Sequence, residues 1–139
     1  MTIQSLLNST LNSVGRHCIL EIYDCPGALL DDQSFVQQTL RQAADIARST
    51  LLGEISHKFE PQGVTALVLL AESHISIHTW PEAGYAAVDV FTCGEHTLPE
   101  EACRFIVQRL EAKRHELSTV PRSGPPTAVV PEPLMSLAV

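Results

Sequence analysis

The chain has 139 residues, room for one domain of ordinary size rather than two, and its 45% hydrophobic content is enough for a packed core. A formal net charge of -7 argues against a nucleic-acid partner, which would need a basic face. The longest apolar run, over 64–71, is far short of the roughly 20 residues that cross a bilayer, and the N-terminus lacks the basic start and long apolar run of a secretory signal, so a cytoplasmic protein without a membrane partner is expected.

In chain order, residues 1–15 read as a loose or weakly helical arm. Residues 16–23 (RHCILEIY) are rich in apolar and β-prone types, and Asp24, Cys25, Pro26 and Gly27 then supply a turn. From 32 to about 49, Val36, Leu40, Ala43 and Ala47 recur at helical spacing, with Asp31 or Asp32 at the helix start. Ile55, His57 and Phe59 alternate with polar residues, the pattern of a half-buried strand. Pro61, Gln62 and Gly63 turn the chain into 64–71 (VTALVLLA), a short, continuously apolar central strand. Over 73–79 the residues alternate again, with His74, Ser76 and His78 on one face and Ile75 and Ile77 on the other. After a turn at 81–84, residues 85–92 form another strand. Thr97 and Glu100 have capping-box spacing and open a second helix, with Cys103, Ile106, Val107 and Leu110 on one face. A short strand over 116–120 closes the domain, expected over 16–122. The proline-rich stretch 123–139 reads as a disordered tail.

The order expected is β-α-β-β-β-α-β: an α+β fold, a two-layer sandwich of a largely antiparallel sheet with two helices on one face. The other sheet face must meet another layer or another subunit. A homodimer follows as the expected state.

Cys18, Cys25, Cys93 and Cys103 show no C-x-x-C pairing, so they read as free thiols. The chemistry concentrates at 71–82 (AESHISIHTWPE), where histidines, hydroxyls and carboxylates directly follow a buried run. Three readings fit those residue types. One is a solvated sheet edge. The second is a metal site on His74 and His78, but four residues of strand span about 13 Å, too far for one ion without a bend. The third is a reactive serine with a nearby histidine, the pairing of acyl chemistry.

The text itself goes further. SHISIHTWPE over 73–82 and GYAAVDVFTCG over 84–94 resemble the short prokaryotic S-adenosylmethionine decarboxylase proenzymes. GRH over 15–17, EIYDC over 21–25 and the FxPQGV frame over 59–64 are similar too. The resemblance implies a zymogen that cuts itself between Glu72 and Ser73. The Ser73 hydroxyl attacks the Glu72 carbonyl, the peptide rearranges to an ester, and β-elimination frees Glu72. The dehydroalanine left behind is hydrolysed with loss of ammonia and becomes a pyruvoyl group on the new N-terminus. The same resemblance assigns His78 as proton acceptor in processing, Thr65 as its supporting hydroxyl and Cys93 as catalytic proton donor. It makes Phe59 the adenine-stacking aromatic and Glu82 the carboxylate holding the ribose hydroxyls. A pyruvoyl carbonyl forms a Schiff base with the substrate amine and accepts the electrons released with carbon dioxide, so neither pyridoxal phosphate nor a metal is expected. The implied reaction supplies decarboxylated S-adenosylmethionine for spermidine synthesis.

The chain departs from the usual family text at Glu60, normally apolar, and at Thr65 and Ala66, normally Ser-Gly. A carboxylate at Glu60 beside the adenine site would suit a dibasic amino acid, so arginine or ornithine decarboxylation is the alternative. An uncut, non-catalytic binding homologue is a second.

Overall fold

The computed structural model describes residues 14–125. The arm expected over 1–15 lies outside them except for its last two residues, and the tail over 123–139 lies outside except for its first three.

Six strands form one sheet: β1 (Gly15–Tyr23), β2 (Leu51–Lys58), β3 (Val64–Leu70), β4 (Ser73–Trp80), β5 (Tyr85–Cys93) and β6 (Arg114–Arg122). Their order across the sheet is β2-β3-β4-β5-β1-β6, with every neighbouring pair antiparallel. The α+β class and the antiparallel sheet are as expected. The order β-α-β-β-β-α-β is one strand short, because each of the four strand-like segments between the two long helices forms a separate strand. A one-turn helix α1 (Gly27–Leu30), unforeseen, follows the first strand.

Helix α2 (Gln33–Ile46) starts where its sequence says it should: Asp32 is the N-cap, and its carboxylate accepts the Phe35 N–H at 3.0 Å. Val36, Leu40, Ala43 and Ala44 lie on its buried face. Helix α3 (Pro99–Arg109) starts differently from the expected capping box. Leu98 is the N-cap and offers no side-chain bond, while Pro99 occupies the first turn. The Thr97 hydroxyl turns back to donate to the Gly94 carbonyl at 3.0 Å, and the Glu100 carboxylate instead accepts from Arg16 Nε at 2.9 Å.

Both long helices cover the same sheet face. Cys18, Leu20 and Ile22 of β1, Ala66 and Val68 of β3, Ile75 and Ile77 of β4, and Val88 and Val90 of β5 are buried with Leu40, Ala102 and Ile106 in one core. Among the described residues, no helix covers the opposite face. Ile19 is 43% exposed, Leu69 51% and Trp80 44%, each on the side of its strand away from the core. On β2 the alternation of 55, 57 and 59 is real but points the other way from a half-buried strand: Ile55 is 70% exposed on the open face. Ser56 turns to the helix side, where its hydroxyl accepts from Gln33 Nε2 at 2.9 Å. Period two marks which residues share a face and leaves open which face is covered.

Candidate active site

A tight turn through Ala71 and Glu72 joins β3 to β4, and Ser73 opens β4 with φ of 147°. That conformation suits glycine and costs a residue with a β-carbon on the order of 1–3 kcal/mol. The turn is held at several points. The Glu72 carboxylate accepts the Thr50 N–H at 2.8 Å, the Thr50 hydroxyl at 3.3 Å and sits 3.2 Å from His96 Nε2. The Thr50 N–H is the main reason this carboxyl lies below the usual carboxylate range. The Glu72 carbonyl oxygen accepts the Cys93 N–H at 2.8 Å. An N–H so directed stabilises the charge that grows on this oxygen when a nucleophile attacks the carbonyl. Gly15 makes the close fit possible: a β-carbon there would lie 2.5 Å from the Thr92 carbonyl oxygen and 2.9 Å from Cys93 Cα.

The Ser73 hydroxyl lies 3.2 Å from His74 Nδ1, and His74 Nε2 lies 2.9 Å from Asp89 Oδ2 on the paired strand β5. Asp89 also meets His17 Nε2 at 2.9 Å and accepts from the Ser76 hydroxyl. Burial alone would raise the Asp89 pKa, but the hydrogen bonds from Ser76, His17 and His74 outweigh it and hold the group below its ordinary value. The facing ring nitrogens of His17 and His74 and the Asp89 carboxylate lie within 4.8 Å of one another. So His74 converges with His17 and Asp89, not with His78.

His78 belongs to the other end of β4, where its Nδ1 lies 3.1 Å from the Thr65 hydroxyl. A cavity of about 400 Å³ is lined there by Phe59, Gln62, Gly63, Thr65, His78, Thr79, Trp80 and Glu82. Four residues expected at the site, Phe59, Thr65, His78 and Glu82, thus come together. The Phe59 ring stands edge-on to His57 with centroids 4.6 Å apart and is 45% exposed. Glu82 projects from the 3₁₀ turn Pro81–Ala83. Glu60 is exposed and is not among the lining residues. Trp80 also lines the cavity, and its place directly after His78 and Thr79 is the one sequence signal for it.

The expected site residues therefore fall into two groups. Glu72, Ser73 and Cys93 meet at one end of β4, and Phe59, Thr65, His78 and Glu82 at the other. His78 lies five positions along β4 from Ser73, about 16 Å. His74 and His78 share the open face of the sheet, so both groups border the uncovered surface.

Comparison with known proteins agrees with the fold and with the text around Ser73. The family model for S-adenosylmethionine decarboxylase matches residues 16–123. The S-adenosylmethionine decarboxylase proenzyme of Parasynechococcus marenigrum (strain WH8102) is 62% identical over 112 residues, covering 81% of this chain and 88% of that protein. The protein of the same name from Methanococcus aeolicus is 46% identical over 114 residues, covering 82% and 97%. The crystal structure of the adenosylmethionine decarboxylase of Aquifex aeolicus superposes with a TM-score of 0.76 at 35% identity, over 87% of this chain and 96% of that one. With so long a match over sequence and fold alike, the chain belongs to the S-adenosylmethionine decarboxylase family.

Proposed function

We propose that this protein is a self-processing, pyruvoyl-dependent decarboxylase of S-adenosylmethionine, cut between Glu72 and Ser73, and that two copies complete each site. The observation that carries the reading is the state of that one peptide bond. Ser73 has φ of 147°, its hydroxyl meets a histidine nitrogen, and the carbonyl it would attack already accepts an N–H. Cleavage relieves the backbone strain. The Parasynechococcus marenigrum and Methanococcus aeolicus relatives are both proenzymes by name, which fits a chain that matures in this way.

Ser73 fits as the source of the pyruvoyl group, since it would become the N-terminus of β4 with Cys93 beside it. When formed, that group supplies the electron sink that decarboxylation of an amino acid requires. Cys93, at the end of β5, is the proton donor to the substrate α-carbon. His78, oriented by the Thr65 hydroxyl, removes the Ser73 α-proton during elimination. Phe59 stacks on the adenine and Glu82 receives the ribose hydroxyls, with Trp80 closing the same cavity. The product is the aminopropyl donor for spermidine synthesis, and the protein works in the cytoplasm.

His78 stands about 16 Å from Ser73 along one strand, beyond the reach of an imidazole side chain. A second copy packed on the open face, with β4 running the opposite way, brings the partner's His78 to Ser73. Ile19, Leu69, Trp80 and Ile55 give that face the apolar surface a two-fold interface buries. The homodimer is thus part of the catalytic unit. Glu60 lies outside the cavity lining, which gives the dibasic alternative no support.

An intact mass spectrum of freshly purified protein tests the processing. Two fragments are expected, the second starting at position 73 and lighter by one ammonia than a serine-started chain. Carbon dioxide release from S-adenosylmethionine, set against arginine and ornithine, then tests the substrate. A single uncut chain after prolonged incubation would remove the cofactor and leave a binding protein.

A further inference from the structure

We propose that His74, held in place by Asp89, is the base that takes the Ser73 hydroxyl proton and so starts the self-cleavage. The inference rests on the processing reading above and assigns a step that His78, acting later on the α-proton, does not perform.

Strand register builds the arrangement. Ser73 and His74 are adjacent at the start of β4, and β4 pairs with β5 so that Ser76 lies opposite Asp89. The Ser73 Oγ to His74 Nδ1 distance is 3.2 Å, and His74 Nε2 to Asp89 Oδ2 is 2.9 Å. Proton positions follow from the partners. Arg122 Nη1 can only donate, so the His17 Nδ1 it meets at 3.2 Å is an acceptor, and His17 donates through Nε2 to Asp89. The Asp89 carboxylate, accepting from His17 and Ser76, also takes the Nε2–H of His74. His74 Nδ1 is then left unprotonated, with its lone pair toward the serine hydroxyl. Asp89 is charged and partly buried, so it favours the imidazolium formed when His74 takes the proton.

The step balances. The Oγ–H proton moves to His74 Nδ1 as Oγ bonds to the Glu72 carbonyl carbon, and the carbonyl π electrons move to the oxygen facing the Cys93 N–H. The C–N bond then breaks, the Ser73 nitrogen takes the proton from His74, and an ester with a free amine results. His74 touches the reacting atom. Asp89, His17 and Ser76 act through it as positioning residues.

The test uses the full chain, followed by gel and intact mass as it cleaves, with hydroxylamine added to trap any ester. Wild type should cleave. His78→Ala should stop after the first step and release fragments with hydroxylamine. His74→Ala should be slowed by about a hundredfold or more and release nothing with hydroxylamine, because the ester never forms. Added imidazole should restore part of its rate. His74→Gln keeps the bulk and a donor to Asp89 but has no base, and should be slowed alike while melting near wild type. Asp89→Asn should slow the same step by about tenfold or more, because its amide can donate to Nε2 and turn the tautomer. Cleavage of both His74 variants within a few-fold of wild type, or an ester accumulating in them as in His78→Ala, overturns the proposal while leaving the processing reading intact. A wild-type chain that never cleaves overturns both.

Discussion

The four thiols occupy three settings, and those surroundings set their reactivity. Cys18 and Cys103 are packed in the core, and Cys25 is buried behind the first turn. Burial, with the Asp24 charge second, pushes the Cys25 thiol up to about 11. Its hydrogen bond with Cys18, and then burial, raise Cys103. Cys93 alone of the four is not buried. Brief treatment with iodoacetamide at pH 7 should therefore label Cys93 well ahead of the other three, as peptide mapping would read, and turnover should fall in step with the label. Equal labelling of Cys25 would contradict its placement. Cys93 was legible from its string, at a strand end before glycine. The backbone N–H of Cys93 on the Glu72 carbonyl was not, since nothing in residue identity marks which N–H meets which carbonyl across a sheet.

Elements differ in how far local sequence commits them. Helix α2 follows its own text, with an apolar stripe and an aspartate cap, and Asp32→Ala should cost about 1 kcal/mol, seen as a lower Tm in thermal unfolding. Helix α3 carries capping-box letters, yet Thr97 and Glu100 bond elsewhere. Glu100→Gln should change stability by less than about 1 kcal/mol, because the ion pair with Arg16 is half-exposed and no cap is lost. Gly15→Val is the opposite case: its β-carbon must displace strand backbone at Thr92 and Cys93, so a loss of about 1–3 kcal/mol and slowed self-cleavage are expected together. Strand β2 was legible as a strand and misread in its facing. Its neighbours, not its alternation, decide which side is covered.

At the scale of the whole molecule, one sheet with helices on one side leaves two half-sites at opposite ends of β4. The dimer proposed to join them predicts an outcome that a single chain would not give. Neither Ser73→Ala nor His78→Ala should mature alone. Co-expressed, the His78→Ala chain should be cut by the partner's His78 in mixed pairs. With equal expression, about half of the His78→Ala chains should mature, the statistical share of such pairs. A total absence of cleavage in the mixture would exclude a site shared between copies. Leu69→Lys, set on the open face, should weaken the dimer in sedimentation and suppress cleavage with it.

The sequence by itself determined the helix with its aspartate cap, the apolar central strand, the alternation of His74, Ser76 and His78, and, through the text of 73–94, the family, within which Ser73 is the serine proposed to react. These depend on contacts between near neighbours, on backbone period and on a long matching string. Only the tertiary structure decided the sixth strand's place in the order, the open face of β2, the failed capping box and the partition of the site. It alone brought His17 to Asp89 across 72 residues and His74 to Asp89 across 15. Strand register is set by burial and pairing summed over the whole sheet, and a one-residue slip would carry Asp89 to the core face and dissolve the cluster.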